Sequence, residues 1–160
     1  MEEEKKYSLS EAHHTFAVDF HGKTWDLLEK KDRNQDENER MLDYAHASLA
    51  HWRTAGAEIH HARGEWLVAR VYTVLGDKTN ALYHASRCLE LFETKREKMA
   101  DFDAAFTFEA VARACALTGD GAKAQEFIEK ARVTGQSIAD DKDREAFFLE
   151  FDGGDWYGVK

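Results

Sequence analysis

Apolar residues recur along this chain at the three- and four-residue spacing of amphipathic α-helices, and no stretch of any length alternates in the manner of a β-strand. The first predicted helix begins after Ser8, which together with Glu11 has the spacing of a capping box, and it extends to about Lys31. Its expected buried side carries four apolar residues: Phe16, Phe20, Leu27 and Leu28.

Short polar or glycine-containing turns separate the helices that follow. A second helix is predicted over about residues 36–55, and Gly56 closes it. The third ends at Leu75, where Gly76 turns the chain and Asp77 caps the fourth. The stretches "MADFD" and "TGDGAK" then separate the fourth, fifth and sixth helices, and a short seventh presents Ala146, Phe147, Leu149 and Phe151. The Gly-rich tail "DGGDWYGVK" either frays or docks its two aromatic residues back on the protein.

Two segments of the chain superimpose with an offset of 43 residues, "LGDKTNALYHASRCLEL" and "TGDGAKAQEFIEKARVT". Gly76 aligns with Gly119 and Ala81 with Ala124, and upstream Ala69 aligns with Ala112. Small residues at these positions allow two antiparallel helices to approach closely where they cross. A repeated helix–turn–helix unit of this kind predicts an all-α fold, an α-solenoid of antiparallel helix pairs with about seven helices.

The repeated unit resembles the tetratricopeptide repeat family in a longer-repeat variant, like those of motor light chains and of bacterial peptide-sensing regulators. The resemblance covers about residues 60–137 and rests on a large residue early in the first helix, an apolar–small pair, an aromatic, and Gly-Asp at the turn. The large residues are Trp66 and Phe108, and the apolar–small pairs are Val68-Ala69 and Val111-Ala112. The aromatic is Tyr72, which Cys115 replaces in the second unit, and the turns are Gly76-Asp77 and Gly119-Asp120. It implies one domain over 1–160, divided into a divergent first pair (1–56), two repeats (57–98 and 100–137), a capping helix (141–151) and a tail (152–160).

Composition and net charge indicate which partners and which cellular location to expect. Hydrophobic residues make up 43% of the chain and charged residues 33%, which is typical of a soluble globular protein. The formal net charge of -9 repels phosphate backbones, so we expect no nucleic-acid partner. No apolar run approaches the roughly 20 residues of a membrane span, and the N-terminus has no apolar signal core, so we expect a cytoplasmic protein that does not contact membranes. Cys88 and Cys115 are interpreted as reduced core thiols.

The resemblance also implies a concave face lined by the first helix of each pair. Its inward positions are Arg63, Trp66, Arg70, Phe106, Glu109 and Arg113. Arginines beside aromatic residues on an otherwise acidic protein suit a carboxylate. The hypothesis is therefore a non-catalytic binding or scaffold module that recognises a peptide, a protein segment or a small acidic ligand on this face. The alternative is that the arginines are merely solvated and that Trp66 belongs to the core.

Histidine spacing raises a second hypothesis. The chain has eight histidines, all between His13 and His84, and several follow an acidic residue by three positions. Glu-x-x-His on two helices is how di-metal carboxylate centres are built. The alternative function is therefore a metal-dependent helical-bundle enzyme with a metal site from Glu11, His14, Glu58 and His61. The alternative interpretation is that Glu11 serves the capping box and Glu58 the helix dipole.

Motifs for other chemistry are missing from the sequence. It contains no Gly-rich phosphate loop, no G-x-S-x-G and no Cys-x-x-Cys, so we expect no cofactor and no enzyme of those classes. A third hypothesis is a self-associating structural subunit, a homodimer formed through the apolar faces of the first helix pair or of the last helix.

Overall fold

The computed structural model describes residues 4–160, and these residues form seven α-helices and no strand. The helices are α1 Leu9–Glu29, α2 Gln35–Ala55, α3 Glu58–Leu75, α4 Lys78–Thr94, α5 Asp101–Thr118, α6 Gly121–Gln136 and α7 Asp141–Asp152. A short 3₁₀ turn, Arg96–Lys98, joins α4 to α5. The predicted all-α fold with about seven helices is confirmed. Within the described residues no helix combines the length and the apolar character needed to cross a membrane.

The turn residues act at the helix ends as the sequence predicts. Ser8 and Glu11 form a reciprocal capping box at the start of α1. Gly76 ends α3 and Gly119 ends α5, with left-handed φ values of 77° and 88° that favour glycine. The Asp77 side chain then accepts a hydrogen bond from the backbone N–H of Asn80 and begins α4.

Neighbouring helices pack as antiparallel pairs, α1 with α2, α3 with α4 and α5 with α6, and α7 lies against α5 and α6. The small residues of the repeat are fully buried where the helices cross, as their alignment predicts: Ala69, Ala81, Ala85, Ala112, Ala124 and Ala131. Between pairs, Gly64 on α3 faces Leu49 on α2 so closely that a Cβ at position 64 would lie 2.7 Å from Leu49 Cδ1. Small side chains therefore set the distances between helices.

The expected buried side of α1 is confirmed only in part. Leu27 and Leu28 are partly buried and pack against the core, but Phe16 is 49% exposed, and the fully buried residues of α1 are Ala17 and Thr24. The reason is that α1 is an edge helix that packs chiefly on α2, so only a narrow strip of small residues reaches the crossing.

Candidate ligand-binding pocket

A cavity of about 350 Å³ lies between α1, α3, α5 and α7. Its lining is predominantly apolar and aromatic. The aromatic and aliphatic side chains that form it include Trp25, Trp66, Phe102, Phe106, Met99 and Leu149. A volume of this size lies within the range of ordinary ligand pockets.

The two tryptophans give the pocket its flat walls. The Trp25 ring stacks on Trp66 with the centroids 5.7 Å apart, and Phe106 meets Trp66 edge-on at 5.5 Å. Trp25 Nε1 donates to His21 Nε2 at 3.1 Å, which fixes the Trp25 ring. Burial, together with the positive charge of Arg63, lowers the pKa of His21, so its ring is neutral and Nε2 is free to accept.

Trp66 itself carries an unusual feature. Its side chain belongs to the core, with 8% of the residue exposed, and its Nε1 has no hydrogen-bond partner among the described residues. A buried indole N–H usually finds an acceptor. The pocket wall therefore includes one N–H donor, Trp66 Nε1, that no acceptor among the described residues satisfies.

Charge at the pocket is neutralised by an ion pair. Arg63 Nε and Nη2 donate to the two carboxylate oxygens of Asp103 at 2.8 and 3.1 Å, and the guanidinium lies over the Phe102 ring at 4.8 Å. Asp103 also accepts from the backbone N–H of Ala100 at the start of α5. The pair is thus fixed in geometry, and its two charges offset each other. Glu150, the other carboxylate in the lining, pairs with Arg70 at 3.3 Å.

The fourth wall comes from α7, which is anchored by aromatic residues. Phe147 and Phe151 are buried, and Phe147 meets Phe106 edge-on at 5.2 Å. The opposite side of α7 supplies Ala146 and Leu149 to the pocket, and Leu149 remains 80% exposed. One helix therefore both packs on the core and holds an exposed apolar side chain at the pocket mouth.

The thiol of Cys88, which lies in the pocket lining, is not suited to covalent chemistry. Cys88 lies in the lining and contacts the Thr107 hydroxyl at 3.6 Å. Burial raises the pKa of Cys88 to about 12, so the thiol stays protonated at neutral pH. Since the thiolate is the nucleophilic form, Cys88 is a wall residue rather than a reactive group.

The end of the chain covers another of the predicted binding residues, Arg113. Arg113 is 1% exposed and donates to the backbone carbonyls of Glu150, Gly153 and Asp155 at 2.6, 2.9 and 2.9 Å. The Trp156 ring lies 4.1 Å from the guanidinium carbon of Arg113. Of the two outcomes open for the tail, docking is the one found, and fraying is not.

The six predicted concave residues therefore divide into two groups. Arg63, Trp66 and Phe106 line the pocket. The remaining three, Arg70, Glu109 and Arg113, lie at the C-terminal segment, where Arg70 pairs with Glu150 at 3.3 Å and Glu109 forms a buried ion pair with Arg113.

Sequence reasoning missed the contributions of α1 and of part of α7. Trp25 and His21 share one face of α1, four residues apart, but nothing in their spacing indicates that this face meets α3. Leu149 is one of the apolar residues that the sequence assigns to the last helix, but its spacing does not indicate a place at a pocket.

The four residues of the metal hypothesis do not converge. Glu11 is engaged with Ser8, His14 meets the Trp52 ring edge-on, and Glu58 pairs with Lys98. The ring of His61 lies 3.1 Å from the Trp52 carbonyl oxygen. Within residues 4–160 no group of three or more His, Cys, Asp or Glu side chains is placed to hold a metal ion, so the geometry gives this hypothesis no support.

A second polar cluster, which the sequence did not predict, lies between α2, α3 and α4. The buried Glu65 carboxylate accepts from Arg53 at 2.5 Å and lies 2.6 Å from His84 Nδ1. Burial raises the pKa of Glu65, but the partners His84 and Arg53 outweigh it, so the pKa lies below its usual value. The His84 ring in turn stacks on Tyr72, so the cluster joins three helices through satisfied polar groups.

No protein-family model, no curated protein and no solved structure matches the chain. The side of the molecule that carries the predicted binding residues holds an apolar pocket beside Arg70 and Arg113, which the C-terminal segment covers.

Proposed function

We propose that the protein is a non-catalytic binding module of the tetratricopeptide-repeat type, acting in the cytoplasm, which holds a peptide or protein segment on its concave face. One apolar side chain of that segment occupies the pocket. The observation that carries this proposal is the cavity of about 350 Å³ with its stacked Trp25–Trp66 wall. The resemblance of residues 60–137 to the repeat family supports it, because repeat arrays use their concave surfaces for recognition.

The chemistry of the lining favours an uncharged apolar group over a free acid. Arg63 is already matched by Asp103, so an incoming carboxylate would have to break a bidentate pair. An apolar side chain meets no such cost, and burying one contributes about 1.5–3 kcal/mol. The exposed Leu149 side chain adds apolar contact at the mouth.

N-acetyl-phenylalaninamide provides a direct test, since it carries an apolar side chain between two peptide groups and has no charge. We expect a dissociation constant of the order of 1 mM, about -4 kcal/mol, because the pocket holds only one side chain. Two-dimensional NMR of the tryptophan indole N–H groups reports its position. The signals of Trp25 and Trp66 should shift, while that of Trp52, outside the pocket, serves as an internal reference.

A pocket-filling substitution completes the test. Ala146 is exposed on α7 and lines the pocket, whereas Ala122 is exposed on α6 and does not. Ala146→Trp should weaken binding of the probe at least tenfold, and Ala122→Trp, the matched control, should leave it unchanged. Equal binding by both variants, or shifts confined to tryptophans outside the pocket, would refute the proposal.

A further inference from the structure

We propose that the indole N–H of Trp66 selects the occupant of the pocket, and that this occupant carries an uncharged carbonyl oxygen beside its apolar part. This rests on the proposed function, because it concerns the same pocket. It goes further by assigning a specificity-determining residue and by naming the chemical class of the ligand, an apolar group joined to a carbonyl. In a peptide segment, that oxygen is the backbone carbonyl next to the side chain that fills the pocket.

The observation that carries the inference is a hydrogen-bond donor without a partner. Trp66 lines the pocket with only 8% of the residue exposed, and no acceptor among residues 4–160 receives its Nε1–H. An unpaired buried donor costs free energy, and most such groups in folded proteins have a partner. The missing acceptor therefore points to a group that enters the pocket from outside.

The neighbouring indole shows what the protein does when it supplies the acceptor itself. Trp25 Nε1 donates to His21 Nε2 at 3.1 Å, so that N–H is satisfied within the wall. The Trp66 ring is held by its stack on Trp25 at 5.7 Å and by the edge of Phe106 at 5.5 Å. A ring held on two sides cannot turn toward another acceptor without unpacking the wall, so its N–H stays available to a ligand.

The charged groups of the lining explain why the ligand brings an acceptor and no charge. The carboxylate of Asp103 already receives Arg63, and that of Glu150 already receives Arg70. A cationic ligand finds these carboxylates paired, and an anionic ligand would have to break the bidentate Arg63–Asp103 pair. An uncharged oxygen accepts from Trp66 Nε1 and leaves both ion pairs intact.

A water molecule is a poor substitute for such a carbonyl. A water held inside a protein typically makes about two to four hydrogen bonds. The pocket wall is predominantly apolar, and Trp66 Nε1 is its one buried side-chain nitrogen or oxygen without a partner in the described part of the chain. A carbonyl attached to an apolar group gains the same hydrogen bond and also buries that group.

Acetophenone and toluene provide the test, since each brings one uncharged phenyl ring and only acetophenone has a carbonyl. Both are titrated into the full-length protein, and into the same protein with Trp66 replaced by β-(3-benzothienyl)alanine, in which sulfur takes the place of the indole N–H at nearly the same shape. The indole signal of Trp25 reports binding to both proteins by NMR. We expect the replacement to weaken acetophenone binding about three- to tenfold, the effect of one hydrogen bond, and not to weaken toluene binding. The same replacement at Trp52, outside the pocket, is the matched control and should weaken neither.

The Trp66 indole proton of the unmodified protein supplies a second measurement. Its resonance should move further downfield with acetophenone than with toluene, because a hydrogen bond to a carbonyl deshields the proton. The Trp25 indole proton, already bonded to His21, should move by a similar amount with the two compounds. This measurement decides the question even if the replacement at Trp66 disturbs folding.

The inference is overturned if the replacement at Trp66 weakens both compounds equally or neither, or if the Trp66 proton responds alike to both. Toluene binding in the pocket with no effect of the carbonyl refutes only this inference. If neither compound nor N-acetyl-phenylalaninamide shifts the signals of Trp25 and Trp66, the proposed function fails and this inference fails with it.

Discussion

The buried side of α7 should determine stability, and its pocket side should determine ligand binding. One substitution on each side measures the two effects. Phe147 is fully buried, and its ring contacts Phe106, Phe148 and Phe151. Replacing a buried Phe by Ala costs about 3–5 kcal/mol through lost burial and the cavity left behind. In a domain of this length each kcal/mol lowers the melting temperature by about 2–4 °C, so Phe147→Ala should lower it by about 6–20 °C.

Leu149→Ala, two residues along the same helix, is the contrasting change. Since Leu149 is 80% exposed, its loss should alter the free energy of unfolding by no more than about 0.5 kcal/mol. It should nevertheless weaken N-acetyl-phenylalaninamide binding, because the side chain borders the pocket. Calorimetry and the NMR titration measure the two effects. If Phe147→Ala costs less than about 1 kcal/mol, α7 is not anchored as described, and the pocket loses its fourth wall.

Two further predictions concern titratable groups. Because burial raises the pKa of Cys88 to about 12, this thiol should be alkylated at pH 8 at least about 100-fold more slowly in the native protein than in guanidinium chloride, as mass spectrometry of the labelled peptide can show. The pKa of His21 and that of His46 are lowered mainly by burial, so the unfolded chain takes up protons first. Stability should be fully present above pH 6.5 and fall as the pH drops below it, and a urea midpoint that stays constant from pH 7.5 to 5.5 would contradict this.

The repeat and its turns could be predicted from sequence because their causes are local. Gly76 and Gly119 end their helices through their own backbone freedom, and the Ser8–Glu11 box depends on residues three apart. Burial of the aligned alanines follows from the repeat itself, since a small residue at the same place in two units marks the crossing of each pair. These features need no knowledge of which elements meet at long range.

The site was predictable only in part, because its remaining walls depend on such long-range contacts. The resemblance to the repeat family implies that Trp66 and Phe106 face the same side, and both line the pocket. It implies the same side for Arg113, but it could not show that the end of the chain returns to cover that residue. Trp25 was missed for a related reason, since its neighbour on α3 lies about forty residues away.

Glu109 and Arg113 form a buried ion pair beneath the C-terminal segment, and the presence of charged residues there needs a physical reason. Both side chains are almost fully excluded from solvent, and Glu109 Oε2 has no hydrogen-bond partner among the described residues. A buried ion pair of this kind is often no more stable than well-packed apolar residues of the same volume, so stability alone gives no reason for it. The contacts of Arg113 give the reason, because its guanidinium can hold the carbonyls of Glu150, Gly153 and Asp155 only if Glu109 holds the guanidinium in place. An apolar pair would fill the same volume, but it would leave the carbonyls at the end of α7 and in the segment after it without their donor.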